Sequence, residues 1–163
     1  MMIETEKRLH RCCFTGHRPE KLKGSEKHIK GALKKEIHQA IADGFKVFII
    51  GMARGTDLWA AQVVLKLRED NSEIKLICAS PYEGFEDHWS EVWKRLYTFV
   101  LGQADYVHFI KKCYSPDVFQ RRNEWMVNHS ARVIAVYNGT PGGTRNTIEY
   151  AKRIGVECKV ISL

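Results

Sequence analysis

A chain of 163 residues, 44% hydrophobic, is long enough to bury one sizeable core and short enough to need no second one. No run approaches the roughly 18 apolar residues of a membrane span, and the opening MMIETEKRLHRCC lacks the apolar centre of a signal peptide, so a cytoplasmic protein without a membrane partner is expected. The net charge of +7 suits an anionic partner, but much of the excess lies in the amphipathic stretch from Lys21 to Lys35 and at Lys111 and Lys112, where a solvated lysine face is the plainer reading.

The first strand is expected at Cys12–Thr15, followed by a helix with the stripe Ile29, Leu33, Ile37, Ala40 and Ile41, N-capped by Ser25 and ended by Gly44. Lys46–Ile50 is the second strand, with Leu58, Ala61, Val64 and Leu65 as the next helical stripe. Ile74–Ala79 is the third, followed by Trp89, Val92, Trp93, Leu96 and Val100; Tyr106–Ile110 is the fourth, followed by Val118, Trp125, Met126 and His129. Arg132–Tyr137 and Cys158–Ile161 complete the set, joined by a helix carrying Ile148, Ala151 and Ile154. Continuous apolarity suits parallel strands buried on both faces. The alternation predicts a single α/β domain over residues 1–163, a mostly parallel sheet of about six strands with helices on both faces. Cys12, Cys13, Cys78, Cys113 and Cys158 show no paired spacing, and His17, His88 and His129 have no ligand spacing, so neither disulfide nor metal is expected.

In such sheets ligands bind at the carboxyl ends of the strands, so the loops there carry the functional reading. After the first strand, TGHRP offers the Thr15 hydroxyl, a close backbone turn at Gly16, and donors on His17 and Arg18, which is more than a structural turn needs. After the second, GMARGTD places Gly51, Ala53, Arg54, Gly55, Thr56 and Asp57 at a helix start; Asp57 suits a helix cap or a ribose hydroxyl better than a phosphate. Ser80 and Tyr82 follow the third strand, and Tyr82 either stacks on a base or covers the core rim. In QRRNEW, Arg122 shares the helical face of Val118, Trp125 and Met126, with Asn123 beside it; an inward arginine needs either a protein carboxylate or a ligand phosphate. Arg121 and Glu124 face solvent on the same reckoning.

The stretch NGTPGGTRNTIEY is the strongest anion signal. A tight turn at Gly142 and Gly143 leads into a helix whose free first-turn N–H groups, with Thr144, Asn146 and Thr147, can hold a phosphate, and Glu149 lies one turn inside as a candidate acid.

Together TGHRP, GMARGTD, RNEWMVNHSARVIAVYNG and PGGTRNTIEYA resemble the SLOG superfamily, and within it the YpsA-like branch, related to the lysine decarboxylase-like LOG phosphoribohydrolases and to the Rossmann domain of DprA. The resemblance spans nearly the whole chain and implies a Rossmann-like sheet with a nucleotide pocket at the strand ends. In the LOG enzymes an Arg-Lys pair and a PGGxGTxxE motif serve hydrolysis of a nucleoside monophosphate at its glycosidic bond. Arg122 matches that arginine and Glu149 is a candidate for that glutamate, with Asn123 standing in place of the lysine.

Three functions are weighed: binding of a small-molecule nucleotide ligand of the AMP, ADP-ribose or NAD-derived type by a sensor or sequestering domain; phosphoribohydrolysis using Arg122 and Glu149; and DprA-like nucleic-acid binding. No cofactor is required by any of them. Trp93, Tyr97 and Phe99 add apolar area beyond a core stripe, from which a homodimer is expected.

Overall fold

The computed structural model describes residues 2–163. Strands β1 (Arg11–Gly16), β2 (Val47–Ile50), β3 (Lys75–Ser80), β4 (Tyr106–Phe109), β5 (Arg132–Tyr137) and β6 (Glu157–Ser162) form one sheet in the order β4-β3-β2-β1-β5-β6. Every pairing in it is parallel, including Cys13 with Ile49 on one side of β1 and Phe14 with Ile134 on the other. The sheet carries helices α2 (Glu26–Ala42), α3 (Thr56–Asp70), α4 (Glu91–Gln103), α5 (Val118–Asn128) and α6 (Gly143–Arg153), and a short α1 (Glu4–Arg8) precedes it.

Side chains alternate along each central strand and so build two cores. Cys12, Phe14, Phe48, Ile50, Leu76, Cys78, Ile134 and Val136 face the larger one, with residues of α2, α3 and α4. Cys13, Ile49, Ala79 and Val133 face the smaller, with Met126 and Val127 of α5 and Ala151 of α6. Helix α2 begins where the Ser25 hydroxyl accepts the His28 N–H at 3.1 Å, and Gly44, at φ +102°, follows its end. Its buried Ile29, Leu33 and Ile37 contribute on the order of 5–9 kcal/mol before the entropy of ordering is set against them.

The chain walks outward from β1 to β4 in one direction and returns to place β5 on the other side of β1. Crossovers therefore diverge between the carboxyl ends of β1 and β5, and a crevice opens there. At the other end of the sheet, the Arg132 guanidinium sits 2.9 Å from Asp43, 3.1 Å from Glu157 and 4.7 Å above the Phe45 ring. The two carboxylates approach it by charge and lie off its hydrogen-bonding directions, joining α2, β5 and β6.

Some expectations need correction. Helix α4 starts at Glu91, so His88 and Trp89 lie in the preceding turns instead of inside the helix, although Trp89 still packs on the core. Strands β4 and β6 are edges whose residues are largely half-buried or exposed, not covered on both faces. Ile154 caps α6 with 40% of its surface exposed instead of completing the stripe. Of the residues that suggested self-association, Tyr97 is buried and Trp93 packs on the core, while Phe99 is exposed. All five cysteines are free; burial holds the thiols of Cys13 and Cys78 up at about 12, out of reach of ordinary thiolate chemistry. Among the described residues, no helix is long and apolar enough to cross a membrane.

Candidate functional site

A cavity of about 360 Å³ occupies the crevice between β1, β5 and their neighbouring loops. Arg122 and Asn123, on α5, turn into it and are each only 7% exposed. The Arg122 Nη1 donates to the Gly51 carbonyl at 2.6 Å, and its Nε donates to Asn123 Oδ1 at 2.8 Å. These bonds fix the plane of the guanidinium but do not neutralise it.

The carboxylate whose charge acts on Arg122 is Asp57, in the first turn of α3. It is 6% exposed, and its Oδ2 accepts the Ala53 N–H at 3.1 Å. Among the described residues Arg122 makes no ion pair within 4 Å, so Asp57 acts on it through the field alone. Burial pushes the Asp57 carboxyl up to about 6 against the downward pull of Arg122 and the Ala53 N–H. Burial likewise lowers Arg122, while Asp57 raises it and Arg18 lowers it further. Neither group has enough compensation from the protein. Gly51 permits this closeness, because a Cβ there would lie 2.9 Å from both Arg122 Cδ and Asp57 Oδ2. The chain reverses just beyond it at Met52, a buried residue held at φ +67°.

The end of β1 supplies Thr15, Gly16, His17 and Arg18 to the lining. His17 is 5% exposed and its ring stacks on Tyr137 at 5.5 Å, yet its Nε2 has no hydrogen-bond partner. Burial lowers its pKa, with Lys21 adding to the effect and Asn138 opposing it, so the ring is neutral at physiological pH. Gly16 is packed so closely on α3 that any Cβ would overlap the Thr56 side chain. From α6, Gly143 and Thr144 line the cavity, and Gly142 holds the N-cap position without a side-chain cap, leaving the first-turn N–H groups without intrahelical acceptors.

The structure thus brings Thr15, Gly16, His17, Arg18, Ala53, Asp57, Arg122, Asn123, Gly143 and Thr144 to one cavity. Other candidates serve it indirectly or lie elsewhere. Thr56 donates its hydroxyl to the His17 carbonyl at 3.3 Å, Gly55 packs under Pro19, and Thr147 bonds back to the Gly143 carbonyl at 2.8 Å. Asp57 does not cap α3, because Gly55 holds the N-cap position and the carboxylate reaches back to Ala53 instead. Arg54 is drawn away by Glu20 at 2.8 Å, and Asn146 is exposed. Ser80 is fully buried and bonded to the Tyr97 hydroxyl at 2.7 Å, on the α4 side of the sheet. Tyr82 is outside the lining but packs on Phe85 and Phe119, which belong to it.

Glu149 lies outside the cavity. Its side chain is 59% exposed and sits 3.3 Å from Arg145, one turn earlier on α6. Where the resembling enzyme motif has a glycine four residues before its glutamate, this chain has that arginine, and the two side chains share the exposed face of α6 opposite Thr144, Thr147, Ile148 and Ala151. Sequence reasoning missed Phe14, Lys21, Phe85 and Phe119 in the lining. Lys21 was hidden within a lysine-rich face, whereas Phe85 and Phe119 were signalled by the aromatic loops after β3 and β4.

The fold and sequence have relatives. The chain superposes on DNA processing protein A (DprA) from Streptococcus pneumoniae with a TM-score of 0.67 at 20% identity, covering 95% of this chain and 51% of that one. It superposes equally, at 0.67 and 19% identity, on DNA processing protein A from Helicobacter pylori, in a structure described by its single-stranded DNA binding mode; 98% of this chain and 68% of that one are covered. At these identities the likeness is one of fold, and this chain spans about half of the Streptococcus protein. In sequence it is 34% identical over 130 residues to UPF0398 proteins of Bacillus thuringiensis (strain Al Hakam) and Bacillus cereus (strain AH187), covering 78% of this chain and 71% of theirs. A family model matches residues 12–160, and the chain belongs to that family, YpsA, described as the YspA SLOG family.

Proposed function

We propose that this domain binds a nucleotide or nucleotide-derived small molecule of the AMP, ADP-ribose or NAD-derived type in the β1/β5 crevice, as a sensor or sequestering module. The observation that carries the reading is the buried, unpartnered His17 Nε2, in a lining shared with Arg18, Lys21, Arg122 and the amino terminus of α6. A polar atom withdrawn from water without a partner costs free energy that a ligand can recover. The surrounding charge favours an anion, which also supplies what Arg122 lacks at contact distance. A volume of about 360 Å³ stands near the lower end of ligand pockets and suits one nucleotide better than two.

Turnover has one observation in its favour. Asp57, with its carboxyl held near pKa 6 inside the cavity, is suited to proton transfer. Hydrolysis of a nucleoside 5′-monophosphate would draw on Asp57 and Arg122, with Glu149 outside the site.

A thermal-shift screen against AMP, ADP, ADP-ribose and NAD, each recovered and chromatographed, tests both readings. Ligand at about 100 times its dissociation constant stabilises by about 2.7 kcal/mol, a rise of roughly 5–10 °C for a domain of this size. A stabilising compound recovered intact supports the binding domain, one recovered as free base supports hydrolysis, and no shift with any of them rejects the nucleotide site.

A further inference from the structure

The cavity is bounded by two kinds of surface. Beside the donors described above, Phe85 from the turns after β3 and Phe119 from the first turn of α5 also line it. Their rings lie 5.6 Å apart, and around them stand Tyr82, 5.7 Å from Phe85 and 6.3 Å from Phe119, and Tyr114, 6.2 Å from Phe119. These rings are not finished core. Tyr114 is 59% exposed, and Tyr82, Phe85 and Phe119 are only half-buried.

Strand order sets the sequence of chemistry along the sheet edge: aromatic rings after β4 and β3, Asp57 after β2, His17 and Arg18 after β1, and the α6 amino terminus after β5. The β3 and β1 loops emerge two strand spacings apart, about 10 Å. A ligand lying across this edge meets a wall of aromatic rings first, the Phe85 and Phe119 planes tilted 50° to one another so that a base stacks on one ring and meets the edge of the other, a hydroxyl acceptor next and anion donors last.

Resting on the nucleotide reading above, we infer that Phe85 and Phe119 form the platform for the ligand's base, with its ribose toward Asp57 and its phosphate toward His17, Arg18, Arg122 and α6. The ligand class is then a nucleoside phosphate whose aromatic base is required for binding, not a sugar phosphate alone. Aromatic stacking accepts any base through its π-face, so this platform supplies affinity and leaves the choice of base to polar contacts.

Calorimetry with AMP and ribose 5-phosphate, on the unmodified protein and on Phe85→Leu and Phe119→Leu, separates the elements of this inference. Phe119 also lies 6.0 Å from the Arg122 guanidinium, so Phe85→Leu serves as the variant free of that contact. AMP is expected to bind at least tenfold more tightly than ribose 5-phosphate, and each substitution to weaken AMP by about tenfold, the loss falling on AMP and not on the sugar phosphate. Unfolding midpoints within a few degrees of the unmodified protein show that the variants fold. Equal affinity for the two compounds, or equal losses for both in Phe85→Leu, overturns the platform and leaves the phosphate end standing. No binding of either compound to the unmodified protein rejects the nucleotide reading, and the platform with it.

Discussion

Asp57 carries the clearest pH signature of the molecule. Its folded carboxyl titrates at about 6 against an ordinary value of 3.8, so between these limits the folded state keeps a proton that the unfolded state has lost. The contribution of Asp57 to stability is therefore greatest below pH 4 and falls as pH rises through 6, by an amount on the order of 3 kcal/mol. Replacing Asp57 by Asn removes this dependence. The unfolding midpoint of Asp57→Asn minus that of the unmodified protein should climb by several degrees between pH 4 and pH 6.5; a constant difference contradicts the buried carboxyl described here. Arg122 was legible in the sequence at this scale, because its position on the helical face of Val118 and Met126 forces it inward. Asp57 was half legible: its place at a helix start was evident, but its reach back to the Ala53 N–H depends on the turn at Met52, which no residue pattern announces. Glu149 falls outside the lining because Thr144, Thr147, Ile148 and Ala151 set the inward face of α6, which leaves Glu149 on the outer face beside Arg145.

Two glycines at element boundaries should fail for different reasons. At Gly16 the backbone φ is ordinary, and alanine fails by overlap with Thr56, which pushes β1 away from α3; a loss of about 1–3 kcal/mol is expected. At Gly142 there is open space, and alanine fails through φ +145° and ψ −165° alone, at about 1–3 kcal/mol. Urea unfolding measures both, and in a Thr56→Ala background, which lacks the Oγ1 and methyl that a new Cβ at Gly16 would meet at 2.2 and 2.5 Å, Gly16→Ala should cost less while Gly142→Ala costs the same. If Gly16→Ala costs as much in that background, the contact between β1 and α3 is looser than described. The central strands could be read because Val47–Ile50 and Arg132–Tyr137 are apolar on both faces, as interior parallel strands must be. The edges could not, since β4 and β6 mix exposed and half-buried residues, and nothing local says which strand ends a sheet. His88 and Trp89 were misread as the start of a helix because Trp89 and Trp93 stand at helical spacing, yet Trp89 packs beneath Phe85 from outside the helix at 5.0 Å.

Over the whole molecule, the charge of +7 rests mainly on side chains outside ion pairs. In the stretch from Lys21 to Lys35, among the described residues, only Lys30 has a carboxylate in reach, Glu26 at 3.2 Å, and the other lysines form a solvated face. Lys21 departs from that pattern by lining the cavity. A site built for one nucleotide touches few phosphates, so its affinity should fall only modestly between 50 and 200 mM salt, whereas a single-stranded DNA track would lose on the order of a thousandfold or more. Titrating a fluorescent oligonucleotide and a fluorescent AMP derivative across that range separates the two. The central claim is that the cavity is an anion-holding nucleotide site organised around Arg122. Calorimetry of AMP on the unmodified protein and on Arg122→Met, at constant pH and salt, tests it most directly. One saturable site that weakens at least tenfold in a folded Arg122→Met protein is the expected result; equal affinity in the two proteins, or no heat in the unmodified one, contradicts it.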